Sequence, residues 1–254
     1  MSQGQQHTPD MSAITISRQY GSGGGEVAAR LAQRLQWQLI DHEIVARVAH
    51  TLGITEEEAS MHDERVEGFV ARALNALQLA VPVVPIPPTT SPAQEERVYH
   101  EALQQVVVMA VKTGRVVIVG RAAQAILAHR RDVLHVRIVA PLKYRITYVA
   151  RREGLDEAAA QARIQLKDRD RTRYLQSQYH LDVNDPLLYD LVINTGVIDL
   201  ESTVDLVCLA LERKSRKLAV ATGELGPVVG LPPYPGQPAD LRPPTSMTES
   251  EPTS

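Results

Sequence analysis

The sequence has few of the features that mark secreted or membrane proteins. Its 254 residues contain a single cysteine, Cys208, which excludes an intramolecular disulfide. Cys208 stands in an apolar run, so we expect a buried thiol and not a nucleophile. The first residues lack a basic segment followed by an apolar one, and no window reaches the roughly 18 apolar residues of a membrane span. These absences predict a soluble protein of a reducing, cytoplasmic compartment.

An excess of positive charge is also lacking. The chain has 27 Lys and Arg against 30 Asp and Glu, which gives a formal net charge of −3. This balance argues against a general nucleic-acid binder, and we expect neither a nucleic acid nor a membrane as a partner. The histidines are scattered without the spacing of metal ligands, so no protein metal site is predicted. The sequence leaves the oligomeric state open.

Three segments lack a regular pattern. Residues 1–12 are polar, and the tail from 223 to 254 is rich in Pro, Gly, Ser and Thr. Both compositions predict disorder, because they bury too little apolar surface to offset the entropy of ordering the chain. Residues 81–93 contain five prolines, which exclude a regular helix or a central strand there.

Short apolar runs alternate with helical patterns between these segments. There are five such runs: Ala13–Ser17, Gln38–Ile40, Val116–Val119, Val133–Val139 and Leu191–Ile193. Nearly continuous apolar composition is typical of parallel strands that are covered on both faces. Strands that alternate with helices predict βαβ units, and therefore an α/β fold: a three-layer α/β/α sandwich around a parallel five-stranded sheet. Ligands of such sheets bind beyond the carboxyl ends of the strands.

The glycine-rich segment after the first predicted strand is the most informative part of the sequence. Four of the five residues before an amphipathic helix that begins at about Glu26 are glycines: the five are Gly21, Ser22, Gly23, Gly24 and Gly25. Glycine admits left-handed conformations and close approach of a ligand, so consecutive N–H groups can surround a phosphate at the helix N-terminus. The segment therefore predicts a phosphate-binding loop; a sharp turn without a ligand is the alternative.

The loop departs from the standard phosphate-binding pattern G-x-x-x-x-G-K-[ST]. Arg18 stands where the first glycine belongs, and Gly24 stands where the phosphate-clamping lysine belongs. Another cation must therefore offset the charge of the ligand, and Arg18 is the nearest candidate. The alternative for Arg18 is an ordinary surface residue. Glu26 either caps the helix dipole or approaches a phosphate-bound Mg²⁺.

Five motifs, taken in order and spacing, resemble the cytidylate kinase-like proteins, a divergent branch of the cytidylate kinases. The motifs are ISRQYGSGGGEVAARLA, QLIDHE, VVIVGRA, KDRDRTRYL and YDLVINT. Each motif is only moderately specific, whereas their joint order is much more so. The resemblance covers roughly residues 13–212, which we take as one kinase domain.

The resemblance implies a P-loop NTPase fold with strand order 2-3-1-4-5, an insert at about residues 64–95 and a helical lid at about 143–180. It also implies ATP-dependent phosphoryl transfer to a nucleoside monophosphate, with CMP or dCMP as the acceptor and Mg²⁺ as a cofactor. The chain lacks the lysine of ordinary cytidylate kinases, and its insert shows no matching motif. Two alternatives stay open: a module that binds nucleotide without turnover, and a kinase of a non-nucleotide small molecule.

Positive charge is concentrated in the predicted lid. Nine basic residues lie between positions 143 and 173: Lys143, Arg145, Arg151, Arg152, Arg163, Lys167, Arg169, Arg171 and Arg173. Phosphoryl transfer needs positive groups around the transferring phosphate and a lid that excludes water; a solvated helix face is the alternative. The resemblance implies that Arg169 and Arg171 contact the transferring phosphate, and that Asp170 and Arg173 contact the acceptor nucleotide.

Two further polar residues follow predicted strands. Arg121 follows the third strand, where it can point into the cleft and pair with a phosphate through two N–H groups. In the resembling kinases this position holds the phosphate of the acceptor; an ion pair with a neighbouring carboxylate is the alternative. Asp41 follows the second strand and either orients the acceptor or a metal-bound water, or caps the next helix.

Overall fold

The computed structural model describes residues 11–41 and 92–225. Most of the predicted insert, the Pro-rich tail and residues 1–10 lie outside these ranges. Met11 and Ser12, which we had assigned to the disordered N-terminus, lie against the sheet: Met11 is buried in the core, and the Ser12 hydroxyl donates to Asp132 at 2.6 Å. The chain divides into two compact units, residues 1–218 and 219–254. The described part of the second unit contains a 3₁₀ turn at Thr222–Glu224.

The first unit alternates strands and helices, as the sequence predicts. The described strands are β1 (Ala13–Arg18), β2 (Gln38–Ile40), β3 (Val116–Val119), β4 (Val133–Val139) and β5 (Leu191–Asn194). The described α-helices are α1 (Gly24–Leu35), α2 (Pro92–Thr113), α3 (Ala123–Ile126), α4 (Leu142–Glu153), α5 (Glu157–Tyr179) and α6 (Leu200–Ser215). None of the helices in the described ranges is both long and apolar enough to cross a membrane.

The five strands form one parallel sheet of order β2-β3-β1-β4-β5, which confirms the predicted fold. β1 is central, with Ala13 in register with Val116 of β3 and Val133 of β4. Parallel strands place all their carboxyl ends at one edge of the sheet. The residues that follow β1, β2 and β3 therefore converge on a single locus.

Each face of the sheet carries its own apolar core. On one face, Ala13, Val116 and Ile118 pack with residues of α2 and α3. On the other face, Ile14 and Ile16 of β1 pack with α1 and α6. Burial on both faces explains why the strands read as nearly continuous apolar runs. Clamped between two cores, β1 is a rigid support for the loop that follows it.

The α4–α5 pair forms the predicted helical lid. Val149, Ala160 and Ile164 make a small third core, and the ring of Tyr20 packs against it. Asp156 caps α5, since its Oδ1 accepts from the Ala159 N–H at 2.7 Å. Tyr20 belongs to the loop after β1, so the lid packs directly on that loop.

Candidate phosphate-binding site

Backbone conformation and space both require glycine in the loop between β1 and α1. Gly21 and Gly23 have φ angles of 78° and 77°, in the left-handed region. A Cβ at Gly21 would lie 2.7 Å from Val149 Cγ2 and 3.0 Å from the Arg145 carbonyl oxygen. A Cβ at Gly23 would lie 2.7 Å from Leu200 Cδ2. The loop is therefore pressed between the lid and α6.

The start of α1 presents a group of backbone donors. Helical bonding begins with the Val27 N–H, which donates to the Gly23 carbonyl at 3.0 Å. Among the described residues, five N–H groups before it have no acceptor: those of Gly21, Gly23, Gly24, Gly25 and Glu26. No side chain caps this helix. Unpaired N–H groups at a helix N-terminus, together with the helix dipole, form an anion-binding site.

The side chain of Ser22 holds the loop in shape. Its hydroxyl donates to the carbonyls of Gln19, at 2.9 Å, and Ile138, at 3.2 Å. The Ser22 carbonyl accepts from the Thr195 hydroxyl at 2.8 Å, which ties the loop to the end of β5. The Ser22 hydroxyl thus satisfies buried carbonyls, and the binding of a cofactor by Ser22 stays a prediction.

Glu26 is placed to stabilise the helix dipole, which is one of the two roles expected from the sequence. It lies in the first turn of α1 without making a capping hydrogen bond. Its carboxylate pairs with the guanidinium of Arg152 and accepts from the Tyr148 hydroxyl, both on α4. Within the described ranges, no group of three or more His, Cys, Asp or Glu side chains is placed to hold a metal ion. Glu26 therefore connects α1 to the lid.

Arg18 lies beneath the loop. A Cβ at Gly24 would lie 2.7 Å from the Cβ and 3.1 Å from the Cγ of Arg18, and a Cβ at Gly120 would overlap its Nη1. Burial first, and then repulsion from Arg171 and Arg121, lower the pKa of Arg18 to about 9, against the attraction of Asp41. The predicted proximity of Arg18 to the loop is therefore present in the structure.

Arg121 follows β3 in a strained turn. Gly120, Arg121 and Ala122 have φ angles of 75°, 57° and 51°, three left-handed residues in succession. The Nε and Nη2 atoms of Arg121 are buried and make no hydrogen bond within the described residues. The alternative expectation for Arg121, a carboxylate paired through these two atoms, is not seen in that part of the chain. Buried donors without an acceptor are costly, and an anionic ligand would satisfy them.

Of the four lid residues to which the resemblance assigns a contact with phosphate or acceptor, Arg171 is the one the structure places at the loop. Its Nη1 donates to the Arg18 carbonyl at 3.2 Å, and its guanidinium lies 5.3 Å from the ring centroid of Tyr20. Burial lowers the pKa of Arg171. Arg169, Asp170 and Arg173 are exposed on α5. Residues two apart lie on opposite sides of a helix, so Arg169 and Arg173 cannot face the loop together with Arg171; their roles stay predictions.

Sequence analysis missed the residues that fasten the lid to the loop. Asp168 accepts from the Tyr20 backbone N–H at 2.7 Å and pairs with Arg145 at 2.5 Å. Arg145, buried on α4, also donates to the Tyr20 carbonyl at 3.2 Å. Asp168 lies inside the motif KDRDRTR, which was the only available signal. Nothing in the sequence distinguishes Arg145 from the other arginines of the lid.

A second missed cluster surrounds Arg137 of β4. Its buried guanidinium donates to Ser17 Oγ and the Tyr189 hydroxyl, both at 3.2 Å, and to Asn184 Oδ1 at 3.1 Å. All three partners are neutral. Arg137 thus adds to the positive potential at the carboxyl end of the sheet, and it also lowers the pKa of Arg171.

Most of the chain is similar in sequence to known proteins. The family model that matches is the cytidylate kinase-like family, over residues 13–197. The cytidylate kinase of Archaeoglobus fulgidus is 27% identical over 206 residues, which cover 81% of this chain and 97% of that enzyme. The uronate isomerase of Corynebacterium glutamicum is 38% identical over 98 residues, 39% of this chain, and the match spans only 19% of that enzyme.

A solved structure shares the fold. An uncharacterized protein from Eubacterium ventriosum ATCC 27560 superposes with a TM-score of 0.59 at 20% sequence identity. The match covers 80% of this chain and 99% of that one. At this identity the likeness concerns the fold alone.

Proposed function

Because the chain belongs to the cytidylate kinase-like family, we propose that it transfers a phosphoryl group from ATP to a nucleoside monophosphate, with CMP or dCMP as the acceptor. One observation carries the proposal. Five unpaired backbone N–H groups at the start of α1 lie beside the arginines Arg18, Arg121 and Arg171. Such a site favours a ligand with several phosphate groups.

The loop suits the phosphates of ATP. The N–H groups of Gly23, Gly24 and Gly25 start a helix whose dipole favours negative charge. Side chains for Mg²⁺ fit less well, because Gly25 replaces the hydroxyl residue of the standard pattern and Glu26 pairs with Arg152. We therefore expect Mg²⁺ to arrive bound to the nucleotide and to take few ligands from the described part of the protein.

Arg171 supplies the charge that the transferring group needs. The transition state of phosphoryl transfer spreads negative charge over three oxygens, and preorganised cations stabilise it. Arg171 is held between the ring of Tyr20 and the Arg18 carbonyl before any ligand binds. The lid that carries it also excludes water from the loop, which disfavours hydrolysis of the donor.

Arg121 and Asp41 suit the acceptor. Two buried N–H groups of Arg121 match the geometry of a phosphate, and the pair would be bidentate. Asp41 follows β2, two strands from β1, where it can orient the rest of the acceptor. The predicted contacts of Asp170 and Arg173 with the acceptor nucleotide would require these exposed residues to meet it from α5.

A second candidate is a nucleotide-binding module without turnover. Gly24 favours it, because the phosphate-clamping lysine of the standard loop is missing. The buried, unpaired donors of Arg121 favour the kinase, because a protein that only holds ATP needs no second anion site. A kinase of a non-nucleotide acceptor is the third candidate.

The test is an ADP-release assay with ATP, Mg²⁺ and a panel of nucleoside monophosphates, sugars and small acids. Turnover confined to monophosphates, and fastest with CMP or dCMP, is expected. ATP binding without turnover on any acceptor would support the non-catalytic module instead. Turnover only with unphosphorylated acceptors would support the third candidate. The variant Gly23→Val serves as the inactive control, because a Cβ at Gly23 would lie 2.7 Å from Leu200 Cδ2 and disturb the loop.

A further inference from the structure

The side chain of Arg18 occupies the space in which the missing lysine of the standard loop would begin. A side chain at position 24 would begin 2.7 Å from Arg18 Cβ and 3.1 Å from Arg18 Cγ. Real Cβ atoms do not approach so closely, so the stem of Arg18 fills the volume in which a lysine at position 24 would start. Arg18 and a lysine at position 24 therefore exclude one another.

The two cations would nevertheless deliver their charge to different places. A lysine at position 24 would extend from the start of α1 towards the donor phosphates. The guanidinium of Arg18 instead reaches Gly120 at the end of β3, where a Cβ would overlap Nη1. The strongest electrostatic repulsion on Arg18 comes from Arg171 of the lid, followed by Arg121; Arg121 and the attracting Asp41 follow β3 and β2. The stem lies under the donor loop, and the charged tip lies on the acceptor side.

The guanidinium of Arg121 lies close enough to that of Arg18 to repel it. Arg121 keeps two buried N–H donors without an acceptor, and the side chain of Arg18 makes no hydrogen bond within the described residues. Two guanidinium groups close together repel each other. Such an arrangement is stable only when other parts of the fold hold it in place, and an anion between the groups relieves the repulsion.

We propose that Arg18 and Arg121 form one two-arginine clamp for the phosphate of the acceptor, and that the acceptor is accordingly a phosphomonoester. This inference rests on the proposed function and names the residues that hold the phosphate of the acceptor. The donor phosphates are then left to the loop N–H groups and Arg171. Gly24 and Gly120 are part of the clamp, because any side chain at either position would displace Arg18.

Three variants test the clamp: Arg18→Met, Arg121→Met and the double variant. Methionine keeps most of each apolar stem and removes the charge. Arg30→Met is the matched control, since Arg30 of α1 is exposed and pairs with Glu201 of α6. Binding is measured by calorimetry with two probes, CMP and a non-hydrolysable ATP analogue. A third titration uses inorganic phosphate with the analogue present at saturation, so that the loop is occupied.

Each single variant is expected to lower the affinity for CMP and for inorganic phosphate at least tenfold. Its affinity for the ATP analogue should fall less than threefold. The double variant should lose less than the product of the single losses, because both arginines grip one group. Arg30→Met should change none of these affinities. A larger loss for the ATP analogue than for CMP in Arg18→Met would overturn the clamp and assign Arg18 to the donor.

Thermal stability separates a clamp from a structural arginine. Arg18→Met removes a buried like charge, so the melting temperature without ligand should stay equal or rise, while stabilisation by CMP should be lost. A marked fall in the ligand-free melting temperature would show that Arg18 is structural and would also overturn the clamp. If the wild-type protein turns over no acceptor, but the variants bind inorganic phosphate more weakly than wild type, the proposed function fails and the clamp stands.

Discussion

The two ends of the same sheet treat their charges in opposite ways. At the amino end, Arg130 forms a bidentate ion pair with Asp132 just before β4. Lys214 pairs at 2.6 Å with Asp190, which lies just before β5. At the carboxyl end, Arg18 and Arg121 are partly buried near each other without a carboxylate hydrogen bond in the described residues. Closed pairs contribute to stability, whereas open cations cost stability until a ligand arrives. The contrast locates the site without reference to any motif.

The largest effect is expected from a substitution that changes the backbone of the loop at the carboxyl end of the sheet. Gly23→Val should abolish ATP binding, because the left-handed φ of 77° strains a β-branched residue and the new side chain enters the loop beside Leu200. Gly114→Val is the matched control at the amino end: its φ is 73°, and a Cβ there meets nothing within 4 Å. Both variants carry similar backbone strain. Equal ATP affinity in the two variants, measured by calorimetry, would reduce the loop to a simple turn.

The next effect separates two arginines of the lid helix. Arg171→Ala should lower kcat about 10²–10³-fold, the usual effect of removing one preorganised donor to a developing charge. Arg169→Ala should have a clearly smaller effect, because Arg169 is exposed and two residues from Arg171, on the other side of α5. Steady-state kinetics with the best acceptor of the panel measures both. If Arg169→Ala were the more damaging variant, the lid would have to rotate during catalysis.

The smallest effect concerns the amino end. The bidentate hydrogen bonds from Arg130 and the hydrogen bond from the Ser12 hydroxyl lower the pKa of Asp132 from 3.8 to about 2. Its carboxylate thus binds a proton less readily in the folded protein, so this contribution is present above about pH 4 and is lost as the pH falls towards 2. Asp132→Asn should lower the melting temperature by a few degrees at pH 7, for a loss of about 1–3 kcal/mol. The difference from wild type should shrink below pH 4, and kcat at pH 7 should not change.

Much of the fold could be predicted because local signals and burial agree. β1 is a continuous apolar run, the loop is marked by glycine, and the alternation of strands with helices fixes a parallel sheet. The approach of Arg18 to the loop could also be predicted, since both are adjacent in sequence to the end of β1. These inferences need only the direction of the chain.

The fastening of the lid could not be predicted, because it depends on side chains that are distant in sequence. Asp168 meets the Tyr20 N–H across 148 positions, and Arg145 joins them from another helix. The motif KDRDRTR gave four charged residues equal weight, although only one side of α5 faces the loop. The pairing of Glu26 with Arg152 could not be predicted for the same reason, since Arg152 comes from α4. Pairing between elements is set by packing that periodicity alone does not contain.

The shared volume of Arg18 and position 24 also restricts how such a loop evolves. Changing this loop into the lysine-bearing one takes two substitutions, and neither order is neutral. Lysine at position 24 introduced first would meet the Arg18 stem at 2.7 Å, and loss of Arg18 first would remove one arginine of the clamp. Each intermediate is less fit than both endpoints, which is reciprocal sign epistasis. Lineages should therefore retain one loop or the other, and a relative with lysine at the position of Gly24 should carry a small residue at the position of Arg18.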